Sequence, residues 1–180
     1  MLKLMSRTLL IPAIALAAAV SACAPTLGPP PPGAARSGAA PDFRADDFAW
    51  STSPGRNGIT GRMAPRPGAT RYSCSGASVV LTPDTPWTRR RMEVLYQSPE
   101  RAALPVEEVR GRTAQAPAGD ASAFIRRTTC DSADRFAFSG LPDGGWYVIT
   151  TAKPVAGAGP TLALMRRVTT RGGRVANAEL

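Results

Sequence analysis

The chain has 180 residues, with 17 Gly, 18 Pro and 43% hydrophobic residues, which sets one modest globular unit plus flexible segments as the expectation. It contains no histidine, and that removes His-based triads, Cys–His dyads and the commonest metal ligand together. Its formal net charge of +9 favours polyanionic partners.

At the N-terminus, Lys3 and Arg7 give a positive start, Leu9 to Ala19 is an uncharged apolar run interrupted only by Pro12, and small residues follow. This is the pattern of a signal peptide, too short for a spanning helix of about 20 residues. Val20-Ser21-Ala22-Cys23, directly after that run, resembles the lipobox of bacterial lipoproteins. The resemblance implies that residues 1–22 are removed, that the Cys23 thiol takes a diacylglyceryl group and that the new amine is acylated. Membrane lipid then becomes a partner through acylated Cys23, because several chains anchor stably where one binds marginally. An ordinary secretory signal cut after Ala22, with a released protein, is the alternative. Asp after the lipidated cysteine marks inner-membrane retention in enterobacterial lipoproteins. Ala24 stands there instead, which favours a periplasm-facing place on the outer membrane over the inner one.

Loss of Lys3 and Arg7 with the signal lowers the charge of +9 by two. A basic balance often signals nucleic acid, but an exported lipoprotein rarely meets it, so no nucleic-acid partner is expected. Lipid headgroups, lipopolysaccharide phosphates and peptidoglycan carboxylates are the polyanions within reach. The basic residues are almost all Arg, for which genomic base composition is the plainer explanation.

Residues 23–53 read as the lipidated cysteine and a tether. Ala24 to Pro41 has almost no large apolar residue, and Pro29 to Pro32 favours extended polyproline II at about 3.1 Å per residue. Phe43, Phe48 and Trp50 are placed to dock on the domain, although no period is clear. Residues 54–180 read as a β-sandwich domain. Asn57 to Met63 is a first strand, and Ala77 to Thr82, with Ala77, Val79 and Leu81 alternating, is a second. Thr85-Pro86 is an N-cap and N1 pair, so Trp87 to Tyr96 reads as a short helix, with an extended strand across Arg91 to Gln97 as the competing reading. Ser98 to Ala123 is a long excursion with one strand expected at Val106 to Arg110, and Ala123 to Thr129 returns to extended structure. Phe136 to Thr151 reads as an antiparallel hairpin about Gly140-Leu141-Pro142-Asp143-Gly144-Gly145. Leu162 to Thr170 is a strand that Arg171-Gly172-Gly173-Arg174 turns into a last one, Val175 to Leu180, as a second hairpin. The fold class is therefore all-β, a sandwich of about seven strands with one short helix in an insertion.

With Cys23 lipidated, Cys74 and Cys130 are the only thiols left in an oxidising compartment, and a disulfide between them is expected. Catalysis finds little support. Glu107-Glu108, Asp131 with Asp134, and Asp143 are the carboxylates available, and neighbouring acids in loops are ordinarily solvated. No catalytic residue, metal ligand or cofactor is expected. The most concentrated binding patch is Trp87 with Arg89, Arg90 and Arg91, since guanidinium forks suit phosphate or carboxylate and an aromatic can stack on a ring. A solvated helix face with its aromatics in the core is the plainer reading of the same residues.

Gly58-Ile59-Thr60-Gly61, then Ser73 to Pro83 (SCSGASVVLTP), then Phe136 to Thr150 (FAFSGLPDGGWYVIT), resemble in order the motifs of carboxypeptidase regulatory-like, transthyretin-like β-sandwich domains. The resemblance covers roughly residues 57–151 and departs in the long 84–129 insertion and the extra C-terminal strands. It implies a non-catalytic accessory module that acts by contact with an envelope protein or polysaccharide. Carbohydrate recognition is the alternative, which Trp87 or Trp146 lying exposed would favour; a small hydrolase working with acids alone is the remote one.

Overall fold

The computed structural model describes residues 41–63 and 70–180. The expected signal peptide, the lipidation expected at Cys23 and the proline run lie outside them. The chain is an all-β sandwich with helices on one side. Its strands are β1 (Asn57–Arg62), β2 (Tyr72–Ser73), β3 (Ser78–Pro83), β4 (Arg101–Pro105), β5 (Arg126–Thr129), β6 (Arg135–Leu141), β7 (Gly144–Pro154), β8 (Leu162–Thr170) and β9 (Val175–Glu179), with helices α1 (Pro86–Tyr96) and α2 (Val106–Gly111). One sheet has the order β6-β1-β9. The other runs β4-β8-β7-β3-β5, and β2 continues the line of β3 along β7.

Alternation along the strands decides what faces the interior. Phe136 and Phe138 of β6 and Ile59 of β1 oppose Trp146 and Val148 of β7, Val79 and Leu81 of β3, and Leu164 and Val168 of β8, forming the core between the sheets. The intervening residues Tyr147, Ile149, Ala163 and Met165 point to the other side of the larger sheet, where Met92, Leu95 and Tyr96 of α1 cover them. β7 is consequently buried on both faces, and Trp146 to Val148 are fully enclosed. This explains why Trp146 to Thr151 reads as a continuous apolar run rather than an alternation.

Two connections differ from the sequence reading. β6 pairs with β1 and β7 pairs with β8 and β3, so Phe136 to Thr151 is an arch from one sheet to the other and not a hairpin. Residues 171–174 are a second arch, because β8 stays in the larger sheet while β9 pairs in parallel with β1. A hairpin and an arch require the same alternation and the same turn residues; they differ in whether the apolar side chains lie beside one another or face one another across a core. Ala176, Ala178 and Leu180 face Leu164 and Val168 in this second way.

The two arches meet at one end of the sandwich. Buried Asn57, at the start of β1, donates to Leu141 O (2.9 Å) and Asp143 Oδ1 (2.9 Å) and accepts from Arg174 N (3.0 Å). Asp143 Oδ1 also accepts from Gly172 N (3.0 Å). Thr170 Oγ1 donates to Pro142 O (2.7 Å) and accepts from Trp146 Nε1 (3.0 Å). Gly144 sits at φ 156° beneath the Trp50 ring, where a Cβ would overlap the indole.

The 98–123 excursion holds β4 and then α2, so the strand expected at Val106 to Arg110 is a helix. Val106 and Val109 lie three apart and pack on the α1 layer, which a single helical turn allows and a strand does not. The disulfide joins Cys74 and Cys130, with Cα atoms 5.8 Å apart. It links the β2–β3 turn to the end of β5, at the sandwich end opposite the arches.

Candidate functional site

Helix α1 forms because Thr85 caps it: its Oγ1 accepts from Thr88 N (3.1 Å), and Pro86 occupies the first helical position, where a missing N–H costs nothing. Gln97 closes it in the left-handed region, φ 56°. The helix lies on β7 and β8 through Met92, Leu95 and Tyr96. Trp87, in its first turn, is buried. Its Nε1 donates to Ala118 O (2.9 Å), and its ring meets Phe43 (centroids 5.3 Å) and Phe48 (6.0 Å) edge-on in a small second core with Ala121 and Phe124. Phe43, Phe48 and Trp50 thus dock on the sandwich, Phe48 without any exposed surface.

Between α1 and the segment 119–125 runs a groove of about 280 Å³. Its floor is Val80 and Ile149 of the larger sheet, one wall is Thr88, Arg91, Met92 and Leu95, and the other is Asp120, Ser122 and Ile125. Apolar groups therefore make the floor, and hydroxyls, one guanidinium and one carboxylate stand round it. Arg91 is held in place: Nη1 donates to Pro117 O (2.8 Å) and the guanidinium lies 5.4 Å from the Trp87 ring centroid. The Asp120 carboxylate accepts from Ser122 N (2.8 Å), and this bond holds it below the usual carboxylate range. Tyr96, at the end of the groove, has its hydroxyl pushed up to about 12 by burial and stays neutral.

The residues singled out from sequence are dispersed by the helix. Arg89 turns back to Asp84, with Nη2–Oδ2 2.9 Å, and Arg167 Nε reaches the same oxygen at 2.6 Å. The hydrogen bond to Asp84 raises both guanidinium groups above their ordinary value, and the Asp84 side chain is only 3% exposed. Arg90 pairs with Glu93 at 3.2 Å in solvent. Only Trp87 and Arg91 reach the groove, and Trp87 contributes an edge rather than a face. Trp146 is fully buried, so neither tryptophan offers the flat exposed ring that sugar stacking would use. Sequence reading missed the far wall, because residues 118–125 carry no period and approach α1 only in the folded chain. Asp84, next to the Thr85-Pro86 cap, reads as a turn residue; its role as the shared partner of two arginines depends on β8.

The carboxylates weighed as acid–base groups are each engaged. Glu107 pairs with Arg110 and Glu108 with Arg112. Asp131 accepts from its own turn and pairs with Arg135, and Asp134 accepts from Ser73 Oγ (2.6 Å) and Cys74 N (2.9 Å). Asp134 also lies beside Cys74 and Cys130, but sulfurs joined to each other offer no thiolate to a metal.

One similar solved structure is that of a putative carbohydrate binding protein from Pseudomonas aeruginosa, 20% identical, with a TM-score of 0.56 over 78% of this chain and 100% of that one. At that identity the likeness establishes a shared sandwich fold and nothing of the site. No family model matches the chain, and no curated protein matches it.

Proposed function

We propose that the chain is a non-catalytic envelope lipoprotein: a signal at 1–22, a lipid anchor at Cys23, a tether whose last part, Phe43 to Trp50, docks on the sandwich, and a sandwich at 54–180 that binds an envelope carbohydrate from the periplasmic side of the outer membrane. The observation that carries the ligand class is the α1 groove. A sugar ring presents C–H groups on its faces and hydroxyls round its edge. Val80, Ile149 and Met92 suit the first, and Arg91, Asp120 and Ser122 suit the second. The description of the Pseudomonas aeruginosa protein supports the same class. With Trp87 and Trp146 buried, recognition rests on aliphatic contact and planar polar groups rather than on ring stacking.

Titrating the purified protein with peptidoglycan fragments and envelope oligosaccharides, followed by NMR, tests this. Shifts should concentrate at Arg91, Asp120 and Ile149, and Arg91→Ala or Asp120→Asn should weaken binding about tenfold, the loss of one charge-assisted hydrogen bond. Shifts confined to other surfaces, or turnover of any of these glycans, would overturn the reading. Anchorage is tested separately: Cys23→Ala should move the protein from the membrane to the soluble fraction, and the wild type should carry acyl mass on Cys23.

A further inference from the structure

The arch end of the sandwich carries charge that the groove does not use. Arg56 precedes β1 and Arg174 precedes β9, and these strands are parallel neighbours in a register that sets Arg174 against Asn57 and Arg56 against Gly173, so the two arginines lie one position apart at the same end; Gly58 N to Arg174 O (3.1 Å) belongs to that register. Arg171 opens the same turn, and the Arg56 side chain passes over Gly173, with Nε 3.9 Å from where a Cβ would be. All three are exposed. Among the described residues, no carboxylate lies within 4.0 Å of any of them, whereas Arg62, Arg89, Arg90, Arg110, Arg112, Arg135 and Arg167 all have such partners. The nearest acid in the arches, Asp143, already accepts from Asn57 and Gly172.

The arginines are also held on rigid backbone. Asn57 and Asp143 lock the turn that bears Arg171 and Arg174, so little ordering is left to be done on binding. The leading segment comes from the same end: Trp50 covers Gly144 in the first arch, and Phe43 packs on Trp87, at the start of α1, just after Asp84 N bonds Gly145 O (2.9 Å). Residues 43–50 therefore lie near the arch end of the sandwich.

From this we propose that Arg56, Arg171 and Arg174 form a docking surface for the phosphate groups of an anionic lipid bilayer, seating the sandwich with its arch end on the membrane that holds it. The orientation rests on the anchorage reading; the binding of phosphate-bearing lipid does not. The test uses residues 23–180 with Cys23→Ala, so that neither the apolar signal nor an acyl group contributes, sedimented with vesicles of equal phosphatidylglycerol and phosphatidylcholine or of phosphatidylcholine alone. Changing Arg56, Arg171 and Arg174 to Ala should lower partitioning onto the anionic vesicles on the order of a hundredfold, since each basic residue at such a surface contributes severalfold. Changing Arg101, Arg127 and Lys153 to Ala removes the same charge elsewhere and should lower it less than tenfold. Circular dichroism checks that both variants are folded. Equal losses in the two variants, or equal binding to neutral vesicles, would overturn the proposal. So would displacement by millimolar inorganic phosphate, which would mark a site for a soluble anion. Loss of acylation on native Cys23 with the vesicle result intact would instead remove the orientation alone.

Discussion

The two ends of the sandwich close the gap between the sheets by different chemistry. At one end Cys74 and Cys130 join covalently, and Asp134, itself at φ 59°, accepts from Ser73 and Cys74 to hold the adjoining turn. At the other, two arches are held by hydrogen bonds alone, with Asn57 touching both and Asp143 linking them. The covalent end restricts the unfolded chain, whereas the arch end does nothing until the fold exists. Orientation and precision can therefore be assigned to the arch end, and resistance to unfolding to the disulfide end.

The largest expected effect comes from removing the bridge. Cys74→Ala with Cys130→Ala should lower stability by about 4 kcal/mol, the chain-entropy value for a loop of this length, measured by urea unfolding. A loss below about 1 kcal/mol would show that the remaining contacts at that end already restrict the chain. Next is Asn57→Ala. It leaves Arg174 N and Leu141 O without their buried partner and should cost about 3 kcal/mol. If it costs as little as Thr60→Ala on the exposed face of the same strand, Asn57 is not what holds the arches. Thr170→Val should cost about 2 kcal/mol, because Trp146 Nε1 is then buried without an acceptor.

The smallest effect is a pH dependence. The Asn57 side chain, then Gly172 N–H, hold the Asp143 carboxyl below the usual carboxylate range. The ionised form is thus favoured by folding. Its contribution is present above the unfolded value of about 3.9 and is lost as pH falls through the lower folded one. Asp143→Asn should flatten this part of the acid limb of Tm against pH, while Asp131, lowered chiefly by Arg135 N–H, keeps its own. An unchanged acid limb in the variant would leave the acid sensitivity to Asp120 and Asp131, the other carboxyls held low.

The same comparison sets what the sequence can disclose. The cysteines were legible because two thiols in a chain that reads as exported have few alternatives, and the cap of α1 because Thr85-Pro86 is a local signal. The strands β3, β6 and β8 were legible from alternation, and β7 from its unbroken apolar run. What alternation does not carry is which strand lies beside which, so both arches read as hairpins. Asn57 reads only as the first residue of a strand, since its three partners lie 84, 86 and 117 positions away. The groove was half legible: Trp87 and Arg91 were identified, but the wall that faces them belongs to a segment with no pattern. Arg89 and Arg90 were grouped with Arg91 by adjacency, which a helix undoes by turning neighbours about 100° apart.

The parallel pairing of β1 with β9 sets a timetable. The first strand made and the last strand made are neighbours, from Gly58 beside Val175 to Arg62 beside Glu179. As the chain emerges, β3, β5, β7 and β8 can find one another, yet β1 has β6 as its only partner until residue 175 has appeared. Ala178 and Leu180, which seal the interior beneath Ile59 and Phe136, arrive last of all. Closing the longest loop in the domain is thus the step that encloses the core, and such non-local closure makes folding slow. Until β9 is in place beside β1, the interior between the sheets stays open along that edge.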